Sequence, residues 1–257
     1  MPMPSDASTP GLLRVMSVNV HKGFTFFNHR FVLRELRDAV REVGADLVFL
    51  QEIHGTRHGR SADSRDRADL PHYEFLADQI WPAFAYGRNA VYTNGDHGNA
   101  LLSKYPIVRS ENFDVSAATQ ERRGLLHCAL RLPGRIGIVH AICVHLGLKQ
   151  AHRARQLQQL CDFVQLRIPK SEPLLVAGDF NDWRGKAHAA LLNCAGLGEV
   201  FVQAQGKAAR TFPALFPLLR LDRIYVRSVR AHEPLLLPAR PWSGLSDHAP
   251  IAAEIQL

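Results

Sequence analysis

The chain has 257 residues, 46% of them hydrophobic and 21% charged, a balance that suits one globular domain with a sizeable core and argues against a disordered protein. A formal charge of +7 with thirteen histidines favours acidic partners, phosphate groups above all, without separating nucleic acid from lipid headgroup or small phosphate ester. No apolar run approaches the roughly 18 residues of a membrane span. Cys128, Cys143, Cys161 and Cys194 form no CxxC pair, which argues against a zinc knuckle and makes free buried thiols in a reducing compartment, the cytoplasm, the expectation.

Residues 1–10 hold three prolines among small polar residues and read as a frayed leader before a single domain over 11–257. Alternation over 13–20 puts Met16, Val18 and Val20 on one face and Val15, Ser17 and Asn19 on the other, predicting a half-buried strand with Asn19 and His21 at its exit. Residues 30–43 place Phe31, Val32, Leu36, Ala39, Val40 and Val43 on one helical stripe, with Arg34, Arg37 and Arg41 outward and Gly44 as terminator. The apolar run 47–50 ends in Gln51-Glu52. Residues 54–69 lack periodicity and predict a long exposed loop, with His54, His58 and the nearby His72 in solvent; Arg88 and Asn89 fall in a short polar turn. Strands are predicted at 98–103, 124–132 and 135–145, the last ending in His145. A helix over 150–167, with Arg153 and Arg155 on a solvated face, precedes a buried strand at 174–177. A shorter helix covers 186–194, and strands at 219–226, near 235 and at 250–255 close the chain. Strands outnumber helices without simple βαβ alternation. That pattern predicts an α/β fold of the α+β type, two mixed sheets packed face to face with helices outside.

The stretch Val176-Ala177-Gly178-Asp179-Phe180-Asn181-Asp182-Trp183 is an apolar run that stops at a glycine, two carboxylates and an amide. Taken alone it is equally an Asx-rich turn. Other strand ends deliver matching groups: Asn19, Glu52, His145, Asp222 and Ser246-Asp247-His248. This mixture suits phosphoester hydrolysis. A hard divalent cation takes oxygen ligands such as Glu52 and the amide of Asn19. A histidine held by a carboxylate moves a proton, and a second donor neutralises charge as it develops.

The blocks MSVNVHKG, VFLQEIHG, CVHLGL, AGDFNDW, RLDRIYV and LSDHAPI resemble, in the same order, the signature blocks of the endonuclease/exonuclease/phosphatase superfamily, across nearly the whole chain. GRNAVY, HGNALLS and RTFPALFPLLRLDRIYV point to a small bacterial branch of it. The resemblance implies a four-layered α/β-sandwich and Mg²⁺- or Mn²⁺-dependent hydrolysis of a phosphodiester or phosphomonoester. It implies Glu52 as principal metal ligand with Asn19 beside it and Asp247 in the metal shell. Asp179 would orient or activate the water or leaving group, Asn181 would donate to a phosphoryl oxygen, and His248, oriented by Asp222, would be the acid/base. His145 matches branches with a second histidine on the phosphate; abasic-site repair enzymes carry asparagine there, which counts against a strict repair role.

Further candidates for holding substrate are His21, Arg88, Asn89, Arg123 and Trp183, each with a plain surface or packing reading beside it. Nucleic acid would need a basic track with interleaved aromatics, and no dense one is present. A phospholipid headgroup would need an apolar rim, for which the proline-flanked stretch 212–219 is the candidate, with burial as its plainer explanation. A non-catalytic binding module predicts the loss of one of these eight polar positions, and all are retained.

Overall fold

The computed structural model describes residues 11–24, 31–57, 70–93, 95–134 and 137–257. The predicted leader and most of the predicted loop at 54–69 lie outside these residues. Twelve strands are described: β1 (Leu12–Asn19), β2 (Leu47–Arg57), β3 (Ala83–Tyr92), β4 (Gly95–Ser103), β5 (Ile107–Asp114), β6 (Gly124–Leu132), β7 (Gly137–His145), β8 (Leu174–Asp179), β9 (Gly198–Glu199), β10 (Asp222–Arg227), β11 (Ala231–Leu235) and β12 (Ile251–Gln256). Among them run α1 (Leu33–Val43), α2 (His72–Ala77), α3 (Gln150–Arg167), α4 (Lys186–Ala195) and α5 (Val200–Gln205). One six-stranded sheet has the order β11-β12-β1-β2-β4-β3 and the other β5-β6-β7-β8-β10-β9. Each mixes parallel and antiparallel pairs, as β1 with β2 and β7 with β8 are parallel.

Three apolar layers follow from the period of two. Leu13, Val15, Phe49, Leu101, Leu126, Leu130, Leu175 and Ile224 meet between the sheets. Met16, Val18, Val48 and Leu50 face Leu36, Val40 and Val43 of α1. Ile142, Val144, Leu174 and Val176 face Leu157, Leu160 and Val164 of α3 and Leu191 of α4. The result is the expected four-layered sandwich. β1 is buried on both faces rather than half-buried, because a partner sheet lies on one side and a helix on the other. Helix α1 starts later than predicted and leaves Phe31 exposed, while Gly44 closes it in the left-handed region at φ 68°.

Several expectations are corrected. Arg88 and Asn89 lie inside β3, at an irregularity of its pairing with β4, and not in a turn. β2 does not stop at Glu52; it continues to Arg57 past a bulge between Leu50 and Ile53. His72 is buried at the start of α2, and Arg153 is 4% exposed, its guanidinium capping the carbonyls of Gly147 and Leu148. Cys161 and Cys194 are joined by a disulfide that ties α3 to α4, so only Cys128 and Cys143 are free, both buried. The helices pack side by side and bring together two cysteines 33 residues apart, a pairing that spacing alone does not reveal.

Candidate active site

The second sheet aligns three of the predicted polar groups. β7, β8 and β10 are consecutive neighbours, and their register sets His145 opposite Asp179 and Asp179 opposite Asp222. Gly178 permits this approach: at φ 146°, a Cβ there would lie 1.9 Å from the Val144 carbonyl oxygen, so no other residue fits without moving β7. The first sheet brings Asn19 from the end of β1 and Glu52 from the bulge in β2. The segment before β12 adds Asp247 and His248.

Asp179 is the hub. Its Oδ1 accepts the Asn181 backbone N–H at 2.9 Å, and its Oδ2 accepts Asn19 Nδ2 at 3.3 Å. The same Oδ2 lies 3.6 Å from His145 Nε2 and 3.9 Å from His248 Nε2. The other ring nitrogen of His248 is 2.8 Å from Asp222 Oδ2. Asp222 is held by its own backbone N–H, which donates to Thr211 Oγ1, and the Phe212 ring packs 5.0 Å from that of His248. Ser246 Oγ donates to the Asn19 carbonyl, fixing the His248 segment to the end of β1. Asp247 Oδ2 is 3.8 Å from His21 Nε2, and the His21 backbone N–H donates to Asn19 Oδ1.

The two histidines are pushed in opposite directions. Burial lowers the His145 pKa well below the ordinary value, and Arg123, His248, His97 and Lys22 lower it further. Burial also opposes charge on His248, but Asp222, Asp179 and Asp247 outweigh it and the pKa rises. Asp179 is raised by burial, with Asp222 and Glu52 adding and the His248 charge and Asn181 N–H opposing. A neutral imidazole, an imidazolium and an electron-rich carboxylate thus share one buried space, the separation of protonation states that acid–base chemistry requires.

Glu52 and Asn181 are non-glycine residues at positive φ, 54° and 49°. Conformations of this kind cost about 1 kcal/mol each. In Asn181 the amide Nδ2 donates to the Leu146 carbonyl at 2.9 Å, tying the exit of β8 to that of β7. Glu52 is partly exposed, and its charge reaches Asp179.

A hard divalent cation fits this donor set. Carboxylates of Glu52, Asp179, Asp222 and Asp247 and the Asn19 amide gather at one end of the sandwich, and Asp179, raised first by burial, is raised further by Asp222 and Glu52, a crowding of carboxylates that a cation would relieve. Ligand atoms of Asp179, Asp222 and His248 also lie within 4.8 Å of one another. That trio suits a metal less well, since His248 and Asp222 already satisfy each other at 2.8 Å.

Of the remaining predicted residues, Arg123 lies at the site: its Nε donates to the Leu146 carbonyl, and its charge acts on His145 and His97. Asn89 Oδ1 accepts from Asn112 beside Gly124, one residue from Arg123. Arg88 is exposed, and among the described residues no hydrogen bond or ion pair joins its guanidinium to the site. Trp183 is 53% exposed with the Arg184 guanidinium 4.5 Å over its ring. Asp182 caps α4, its Oδ2 accepting the Ala187 N–H.

Sequence reasoning missed Lys22 and His97, whose charges bear on His145, and Asn99, whose Nδ2 donates to the carbonyls of Gly124 and Cys143 across the two sheets. It also missed Thr211 and Arg153, which hold Asp222 and the loop after His145. Lys22 and Asn99 sit inside the blocks MSVNVHKG and HGNALLS and were findable there. Thr211 likewise sits inside RTFPALFPLLRLDRIYV, whereas Arg153 carries no local signal.

Residues 16–248 match the Endonuclease/Exonuclease/phosphatase family. The chain belongs to this family. It is 55% identical to the uncharacterized protein YbhP of Escherichia coli over 244 residues, 95% of this chain and 96% of that one. Among solved structures, an endonuclease/exonuclease/phosphatase of Beutenbergia cavernae superposes with a TM-score of 0.77 at 21% identity, covering 96% of this chain and 72% of that one. TDP2 of D. rerio complexed with a single-strand DNA product gives 0.69 at 19% identity, covering 96% and 99%. The family match and the E. coli relative show the family, whose members are in general phosphoester hydrolases, and the solved structures show its fold. Among the described residues no helix is long and apolar enough to cross a membrane.

Proposed function

We propose that this protein is a divalent-metal-dependent hydrolase of a phosphodiester. The observation that carries the reading is the convergence of Asn19, His145 and His248 on Asp179 Oδ2, with His248 held from behind by Asp222. Glu52, Asn19 and Asp247 would hold Mg²⁺ or Mn²⁺, which when bound supplies Lewis-acid polarisation of the phosphoryl group. Asp179, raised by burial and neighbouring carboxylates, accepts the proton of the attacking water. His248, kept cationic by Asp222, neutralises the developing charge and gives its proton to the leaving oxygen. Asp222 orients that ring and does not itself transfer a proton. His145, neutral in its surroundings, donates an N–H to a non-bridging oxygen, and the positive charges of Arg123 and Lys22 bear on the same ring. Asn181 positions Asp179 through its backbone N–H, and its amide, held on the Leu146 carbonyl, has a second N–H to offer the phosphoryl group.

The test is hydrolysis of bis(p-nitrophenyl) phosphate, plasmid DNA and phospholipid with and without Mg²⁺ or Mn²⁺, beside Asp179→Ala and His248→Ala. Metal-dependent turnover of at least one diester, abolished in both variants, is expected. Turnover that survives either substitution, or that needs no metal, would overturn the assignment. The DNA arm is included because the D. rerio TDP2 of the same fold is complexed with a DNA product.

A further inference from the structure

The stretch 212–219 is buried only at Ala214 and exposes its large apolar side chains. Thr211 and Phe212 pair with Leu219 in a short hairpin, and a turn from Pro213 to Phe216 forms its tip. The base of the hairpin is fastened to the site. The Ala214 N–H donates to the Asp247 carbonyl, the Ala249 N–H to the Thr211 carbonyl, and the Phe212 ring lies against His248. From this anchored base Leu215, Phe216, Leu218 and Leu219 project into solvent, 65%, 71%, 51% and 40% exposed. Isolated exposed leucines are ordinary on a soluble protein. Four large apolar side chains in five residues, beside a catalytic cleft, are a patch of the kind that marks an interaction site.

Charge identifies the partner. Between Glu199 and Asp222 the chain contains no acidic residue, while Lys207, Arg210 and Arg220 flank the apolar tip. The neighbouring strand exits continue the character: Leu148 follows β7 and Trp183, with Arg184 over its ring, follows β8, each more than half exposed. Strands β7, β8 and β10 are adjacent, so these exits and the hairpin share one edge of the sheet. Single-stranded nucleic acid would be held by a succession of stacking faces, whereas Phe216 and Trp183 are interrupted here by Leu148, Leu215, Leu218 and Leu219. A symmetric contact with a second copy would bring its cationic flanks against each other. An anionic lipid surface satisfies both halves, taking apolar side chains at the headgroup boundary and basic residues at its phosphates.

We propose that the 212–219 hairpin docks this protein on the surface of an anionic phospholipid bilayer, bringing the cleft to the headgroup plane. Docking itself is independent of the hydrolase reading; the consequence that the diester cleaved there belongs to a lipid rests on it.

The experiment is flotation of the full chain with vesicles of phosphatidylcholine, with and without about one quarter phosphatidylglycerol, for the wild type, Leu215→Asp/Phe216→Asp and Lys207→Glu/Arg210→Glu. Wild type is expected to float with anionic vesicles about tenfold more than with neutral ones, and each double variant to lose most of that binding. Thermal melts matching the wild type would show that the variants are folded, and unchanged hydrolysis of a soluble diester would show that the cleft is intact. Failure of wild type to float, or equal flotation of the folded Leu215→Asp/Phe216→Asp protein, would overturn the proposal. So would a concentration-dependent dimer or a DNA complex lost in that variant without any vesicle binding. Flotation by a wild type that cleaves no diester would instead refute the hydrolase reading and leave docking standing.

Discussion

Two buried histidine–carboxylate systems in this molecule look alike and do different work. In one, His248 lies 2.8 Å from Asp222 with the Phe212 ring against it. In the other, His140 Nε2 lies 2.5 Å from Glu172, its Nδ1 lies 2.9 Å from His127 Nε2, and Phe163 of α3 packs on His127. The second system sits between its sheet and α3, and the one further carboxylate acting on His127, Glu111 opposite it on β5, is part-exposed and already paired with Arg109. There burial wins, assisted by the His140 neighbour, and the His127 pKa falls to about 4. At His248 the charges of Asp222, Asp179 and Asp247 win. A histidine–carboxylate pair is therefore no site by itself. The difference is a second carboxylate that is itself buried beside the ring, at a strand end where groups from another sheet arrive.

The largest expected effect breaks the first system. Asp179→Ala or His248→Ala should lower kcat/KM for a soluble diester by about 10³-fold or more, measured in saturating metal. His140→Phe, which dismantles the second system, should leave kcat/KM within about twofold of wild type; a loss comparable to that of His248→Ala would erase the distinction. Next, Glu52→Gln should weaken Mg²⁺ or Mn²⁺ binding by at least about tenfold in calorimetric titration, and unchanged affinity would move the metal away from the bulge.

The second system should speak through stability instead. Because the folded pKa of His127 lies below its ordinary 6.5, at about 4, the neutral ring's contribution is complete above 6.5 and is lost as the pH falls toward 4. His127→Gln should therefore lose about 2–3 kcal/mol less than wild type over that interval, read from denaturant melts at each pH. An effect of similar size and opposite sign is expected at Glu199, a buried carboxylate raised by burial from 4.5 to about 7. Its stabilising protonated form persists below 4.5 and is lost as the pH rises through 7. The stability of Glu199→Gln relative to wild type should thus climb by about 2–3 kcal/mol between these values and then level off.

Much of the site was legible because strands end abruptly where apolar runs meet Asn19, Asp179 and His145, and polar groups at such ends are scarce enough to compare. The central strands and the two long helices were legible for the same reason, since burial imposes a period. β3 and β5 were not, because they carry polar, partly exposed residues such as Arg88, Asn89, Ser110 and Asn112 that read as turns. The bulge at Glu52 was hidden because a change of register belongs to the pairing with β4 and not to either strand alone. Arg153 looked solvated, but the loop after β7 needed its two hydrogen bonds. The hairpin at 212–219 looked like core on hydrophobicity alone, and only its surroundings show that nothing covers it.

Asn99 links the sheets by donating from β4 to carbonyls of β6 and β7. Its consequence is mechanical. The proposed metal side of the site, Asn19 and Glu52, rides on one sheet, and the proposed acid–base side, Asp179 and Asp222, rides on the other. The gap between a bound cation and the proton donor is then set by the thickness of the packed layer that separates the sheets, as the opening of a vice is set by what it grips. Volume changes at Phe49, Leu126 or Leu175, none of which touches a substrate, would act as shims that retune the reaction.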